Sequence, residues 1–317
     1  MFGLRVLRAA VFTAGAIGGL SGAAYGLLTE QSKRARKIIG VPGAPLRADG
    51  VYLPEGVGPL DPADPRITGD PLVFAVLGDS SAAGVGCDTD EELPGVLLAR
   101  GLAEESERPV RLLTHAISGA TSRELAGQTD AALRTPPDVA LVIIGGNDVT
   151  ARLSPGACAL LLGAAVRRLT ETGTAVVVGT CPDLGAIRPI AQPLRSLVRS
   201  WSLTLARAQR RAVLLAGGQP VALADLLSPE FLTRPAELFS KDMFHPSAAG
   251  YAAATQVLLP ELCAAAGVWD GGPLPTQPTR SAAAEARRPT AKLVAKLNQR
   301  LKQVPPATSH SAAVTGQ

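Results

Sequence analysis

Residues 72–86 read LVFAVLGDSSAAGVG, and the parsing of that stretch decides the fold. The apolar, β-rich run Leu72–Leu77 stops abruptly at Gly78-Asp79-Ser80. A short apolar run closed by glycine and a small polar residue is the pattern of a buried strand meeting a turn. Small residues follow, then Asp88 or Thr89 as a candidate N-cap, then a helical pattern over Leu93–Glu105. Ser80 is therefore expected at the carboxyl end of a strand, where open α/β sheets hold their ligands. A serine at such a turn has an exposed hydroxyl with backbone N–H groups nearby, which is what a nucleophile needs. Gly-Asp-Ser is also an ordinary turn composition, so the tripeptide alone does not separate the two readings.

Downstream, apolar runs alternate with helical patterns. Strands are expected at Val73–Leu77, Val110–Leu113, Val139–Ile144, Ala175–Val178 and Val221–Leu223. Helices are expected at Leu93–Glu105, Ser122–Leu133, Pro155–Thr172, Leu194–Leu215 and Ala248–Leu262. Ser154-Pro155 is a good helix start and Gly217-Gly218 a good helix stop. Strands alternating with helices imply right-handed crossovers and a five-stranded, mainly parallel sheet covered on both faces.

The chain has 317 residues, 46% of them hydrophobic, enough for one core of ordinary domain size plus appendages. A net charge of +4 and 3% aromatic residues argue against a nucleic-acid partner. Residues 1–31 form an N-terminal segment in which Arg5 and Arg8 precede the apolar run Ala9–Leu28. That run is long enough to span a bilayer, and its basic start and Ser21-Gly22-Ala23 also fit a signal peptide. Lys33, Arg34, Arg36 and Lys37 follow it, so a strict positive-inside count keeps the main domain in the cytoplasm. A cleaved signal or an exported anchor puts it outside, and an exported, envelope- or membrane-associated protein is the reading preferred here. Residues 32–71 read as a Pro- and Gly-rich linker or collar with one short strand near Val51-Tyr52-Leu53. The domain proper is expected over 72–267, followed by a disordered Pro/Ala-rich tail over 268–317. Thr290–Val304 within it has the spacing of a short basic amphipathic helix. Cys87, Cys158, Cys181 and Cys263 lie far apart and form no metal-ligand pattern; buried thiols are the default, with disulfides open to an exported domain.

A nucleophilic serine needs a base, and the chain has only His115, His245 and His310. His310 lies in the tail and His115 reads as a structural residue at the end of a strand. His245, in Asp242-Met243-Phe244-His245-Pro246-Ser247, has a carboxylate three residues earlier that can orient one imidazole nitrogen and leave the other for Ser80. The same segment also serves as a helix entry with Ser247 as N-cap. An acyl-transfer site also needs donors for the oxyanion. Gly119, in AISGATS, can bring a backbone N–H close to a ligand, and Asn147, in IIGGNDV, offers a side-chain amide. Each is also a common turn former. Yet Ser80, Gly119, Asn147 and the Asp242–His245 segment all follow expected strands, and in a parallel sheet those ends share one edge. Asp79 and Asp148 read as structural acceptors of loop N–H groups, because a carboxylate beside an oxyanion opposes its charge.

These blocks resemble the SGNH, or GDSL, hydrolase family. Gly78-Asp79-Ser80 is similar to its first block, Gly119 to the second, Gly145-Gly146-Asn147-Asp148 to the third and Asp242-x-x-His245 to the last. AISGATSREL and GGND look most like the single-domain bacterial lysophospholipase/thioesterase branch. The resemblance spans about Leu72–Gly267. It implies a three-layer α/β/α, flavodoxin-like fold and a serine esterase with no metal and no cofactor. It implies Ser80 as nucleophile, His245 as base and Asp242 as its orienter, with the Ser80 and Gly119 N–H groups and the Asn147 amide as the oxyanion hole. Ser81 stands where the family nickname expects leucine; Ser80 is chosen because it holds the third position of the block. The expected substrate is a short-chain acyl ester of a small molecule, lipid or glycan, cleaved by a monomer. The alternatives are an envelope acyltransferase or deacetylase using the same triad, or a non-catalytic envelope-binding module.

Overall fold

The computed structural model describes residues 25–41, 43–269, 271–274 and 292. Most of the apolar run Ala9–Leu28, the tail and the amphipathic pattern at Thr290–Val304 lie outside the described residues. Residues 25–39 form helix α1, with Ala35 buried against the domain. Its Gln31 exchanges hydrogen bonds with the Gln192 carbonyl at 2.5 Å and the Leu194 N–H at 3.2 Å. Among the described residues no helix is long and apolar enough to cross a membrane.

The sheet has six strands, one more than expected: β1 (Gly50–Tyr52), β2 (Leu72–Gly78), β3 (Val110–Thr114), β4 (Val139–Ile143), β5 (Ala175–Gly179) and β6 (Gln219–Val221). Their order is β1-β3-β2-β4-β5-β6. Every pairing is parallel except β1 on β3. The extra strand comes from the collar, where Val51 and Tyr52 are fully buried. Two buried side chains give that stretch reason to close the sheet edge, and the Tyr52 hydroxyl is satisfied by the Ala48 carbonyl at 2.5 Å.

Successive residues of β2 point to opposite faces, as the pleat requires. Phe74 and Val76 join one core cluster with α2 (Pro94–Ser106) and α10 (Ala248–Ala265). Ala75 and Leu77 join the other, with α3 (Leu125–Ala132), α5 (Pro155–Thr170) and α6 (Leu194–Leu215). Both faces are covered, which is why the strands read as continuous apolar runs. Each fully buried Val, Leu or Phe contributes about 1.5–3 kcal/mol.

Among the elements that differ from the sequence reading, two do so for visible reasons. Helix α3 starts at Leu125 instead of Ser122, because the Ser122 N–H and hydroxyl are both bound by Asp148. The last strand is Gln219–Val221 instead of Val221–Leu223. Leu223 instead opens α7 (Leu223–Leu226) and folds over Gly179, where a Cβ would lie 2.7 Å from its Cδ1. The short helices α8 (Ser228–Thr233) and α9 (Pro235–Leu238) then lead back to the carboxyl edge of the sheet.

Candidate active site

The site is built where β2 ends. Gly78 has φ +134°, and a Cβ there would lie 1.9 Å from the Ile143 carbonyl oxygen. Only glycine allows β2 and β4 to close this tightly. The Gln128 side chain locks the same residue, accepting from the Gly78 N–H at 2.7 Å and donating to its carbonyl at 2.9 Å. The chain then turns sharply, with Ala83 N–H bonded to the Asp79 carbonyl and Val85 N–H to that of Ser80, both at 3.0 Å. Ser80 is left at the head of the turn.

His245 arrives from the loop before α10. Met243, at φ +56°, makes a tight turn that folds His245 back beside Asp242. His245 Nε2 lies 2.9 Å from Ser80 Oγ, and His245 Nδ1 lies 2.6 Å from Asp242 Oδ2. The other carboxylate oxygen, Oδ1, accepts from the N–H groups of Phe244 and His245 at 2.8 and 2.9 Å and from the Ser240 hydroxyl at 2.8 Å. Burial would push the Asp242 carboxyl up, but the bonds from His245, Phe244 and Ser240 outweigh it and hold it well below the usual carboxylate range. The Phe244 ring meets the imidazole edge to face, with centroids 4.9 Å apart. Ser240 and Phe244 carry no motif signal. A serine two residues before the aspartate becomes recognisable as a partner only once the turn is formed.

Asn147 stands in α4 (Gly146–Thr150), just past β4, and lines the same cavity as Ser80. Its Nδ2 donates one hydrogen to the Ala120 carbonyl at 3.0 Å, which fixes the amide and leaves it a second hydrogen. The loop carrying Gly119 is tied to the site by the Ile117 N–H on the Gly78 carbonyl at 3.1 Å. Gly119 has φ +84°, is exposed and is not among the residues that line the cavity. Among the described residues neither the Ser80 nor the Gly119 N–H meets an acceptor.

The two motif aspartates hold loops together. Asp148 takes the Ser122 N–H at 2.8 Å and its hydroxyl at 2.6 Å, joining the Gly119 loop to α4. Asp79 takes the Ser81 N–H at 2.9 Å and the Gly145 N–H at 3.3 Å. Burial raises the Asp79 carboxyl to about 6 against those two bonds. Burial lowers the pKa of His115, and its Nε2 is enclosed with no partner among the described residues. All four cysteines are free, and no group of three His, Cys, Asp or Glu among the described residues could hold a metal ion.

A cavity of about 1030 Å³, counting its open mouth, runs from Ser80 between α10 and the α7–α8 segment. Its walls are mostly apolar. The loop after β5 contributes Pro182, Asp183 and Leu184 to it.

Ser80, His245 and Asp242 stand in hydrogen-bond sequence at the carboxyl edge of a parallel sheet, an arrangement that can activate a serine hydroxyl. The comparisons narrow the class. The model of the GDSL-like lipase/acylhydrolase family matches residues 76–253. A GDSL-like esterase of Mycobacterium tuberculosis is 48% identical over 256 residues, covering 78% of this chain and 81% of that protein. Among solved structures, TesA superposes with a TM-score of 0.51 at 22% identity, over 61% of this chain and 99% of that one. A lipase/acylhydrolase from Enterococcus faecalis gives 0.46 at 18% identity, over 60% of this chain and 94% of that one. The chain belongs to the GDSL-like lipase/acylhydrolase family and is a carboxylic ester hydrolase.

Proposed function

We propose that the protein cleaves acyl esters, short-chain ones among them, through Ser80, His245 and Asp242. The observation that carries this reading is the unbroken chain of contacts from Ser80 Oγ to His245 Nε2 at 2.9 Å and from His245 Nδ1 to Asp242 at 2.6 Å. Ser80 Oγ attacks the ester carbonyl while His245 Nε2 takes its proton. Asp242 holds the Nδ1–H tautomer and stabilises the imidazolium. The carbonyl oxygen becomes an oxyanion and takes hydrogen bonds from the Ser80 and Gly119 N–H groups and the free Asn147 Nδ2 hydrogen. His245 passes its proton to the departing alkoxide, leaving an acyl group on Ser80. Water, deprotonated by the same imidazole, attacks that acyl-enzyme, and collapse of the second intermediate frees the acid and restores the serine.

The reading extends to location. The run Ala9–Leu28 behind Arg5 and Arg8 supports an exported enzyme held at the membrane or in the envelope. A fluorophosphonate probe on intact cells and on membrane and soluble fractions tests both parts. Labelling of Ser80, found by peptide mass spectrometry in the membrane fraction, is the expected result. Labelling of Ser81 in place of Ser80 refutes the nucleophile, and label confined to the soluble cytoplasmic fraction refutes the location.

A further inference from the structure

The cavity behind Ser80 has a length as well as a volume. Along α10 it is lined by Gly250, Tyr251, Ala254, Thr255 and Leu258, a single stripe repeating every four residues. From Gly250 to Leu258 that stripe covers about 12 Å of helix axis at 1.5 Å per residue. An extended hydrocarbon chain advances about 1.3 Å per carbon, given carbon–carbon bonds of about 1.52 Å. The stripe therefore matches eight to nine carbons, roughly, by that spacing.

Its chemistry is as selective as its length. Leu223, Leu227 and Phe231 complete the wall from the α7–α8 side, and all three are buried. The polar side chains on the way down are bonded within the protein. Tyr251 donates to the Val85 carbonyl at 2.8 Å and Thr255 to the Tyr251 carbonyl at 2.9 Å. Asp183 takes Arg199 Nε at 3.1 Å, the Gly185 N–H at 2.9 Å and the Ser228 hydroxyl at 3.2 Å. A sugar or charged group placed here would lose its water with little in return, whereas a polymethylene chain loses nothing. The loop opposite, with Ile117 and Gly119 exposed, leaves an open side by which an alcohol can depart.

We infer that this cavity is an acyl subsite for medium-chain esters of about eight carbons, with Ala254 and Leu258 setting its depth. The inference rests on Ser80 being the nucleophile, and the test separates the two. The measurement is kcat/KM of the purified full-length chain on p-nitrophenyl acetate, butyrate, hexanoate, octanoate and decanoate, each below its micelle-forming concentration. The expected profile rises by roughly threefold to fourfold per added methylene, mostly through KM, and stops rising past octanoate. A profile that is flat or falls beyond butyrate overturns the subsite. Ala254→Leu should lower the octanoate-to-acetate ratio at least tenfold, and Leu258→Ala should move the break to decanoate or longer. The ratio is taken within one sample, so a loss of folded protein does not alter it. Unchanged ratios in both variants also overturn the assignment. Failure of the underlying reading looks different: a Ser80→Ala chain that still turns over acetate removes the nucleophile whatever the chain-length profile shows.

Discussion

Asp242→Asn should be as damaging to turnover as Asp242→Ala, or more so, although asparagine is nearly isosteric with aspartate. The reason lies in the three donors that converge on Asp242 Oδ1 from Phe244 N–H, His245 N–H and the Ser240 hydroxyl. In the asparagine variant the amide oxygen must occupy that position, because an NH2 group there would face three donors. The NH2 group is thereby forced to the Oδ2 position, 2.6 Å from His245 Nδ1 in the native protein. It donates to Nδ1, which moves the imidazole proton to Nε2 and turns the base facing Ser80 into a donor. The same exchange in the chymotrypsin-type triad costs about 10⁴ in kcat, or about 5.4 kcal/mol at 1.36 kcal/mol per decade. Alanine imposes no wrong tautomer but leaves the three donors without an acceptor. At about 1–3 kcal/mol for each buried orphan, discounted for a half-buried site, it should cost about 2–4 kcal/mol of stability. Asparagine should keep most of that stability. The assay pairs kcat on p-nitrophenyl butyrate with urea unfolding of wild type and both variants. Asp242→Asn retaining more than about a tenth of wild-type kcat would refute the tautomer argument. Equal loss of stability in the two variants would refute the role given to Oδ1.

Asn147→Ala removes a single side-chain donor while the backbone donors stay, so kcat should fall by about 10²–10³ with KM little changed; a loss confined to KM contradicts the oxyanion role. Gly78→Ala brings a Cβ to within 1.9 Å of the Ile143 carbonyl at φ +134°, so unfolding should show a loss of at least about 3 kcal/mol; a variant of native stability shows that β2 and β4 can separate there freely. Asp79 gives a pH signature, because burial raises its folded pKa to about 6, against about 3.9 in the unfolded chain. Between those values the folded state binds more protons than the unfolded one, so this group's contribution to stability falls as pH rises and is level above about 6. Asp79→Asn should remove that fall, read as urea midpoints at several pH values from about 4 to 7; parallel profiles for wild type and variant contradict it.

Much of this molecule is legible in local pattern. The apolar runs ending in Gly78, Ile143 and Gly179 announce buried strands because both faces of the sheet are covered, and helix α6 begins and ends where periodicity and the Gly217-Gly218 stop put it. Ser80 and Asn147 follow β2 and β4, and parallel strands bring those ends to one edge, whereas Asp242 and His245 are returned to Ser80 by the segment after α9. What pattern does not carry is anything made by residues distant in sequence and neutral in type. Ser122 reads as a helix start until Asp148 takes both its donors. Leu223 reads as strand until it is needed over Gly179, and the short strand expected at Val51–Tyr52 has no partner in the pattern until β3 offers an open edge. The cavity beside Ser80 belongs to the same class. It depends on Ala254 and Leu258 of one helix lying beside Leu227 and Phe231 of short helices that have no periodicity of their own. Strand and turn are decided by residues within a few positions of one another. The space between elements is decided by packing, a property of side chains that the sequence leaves far apart.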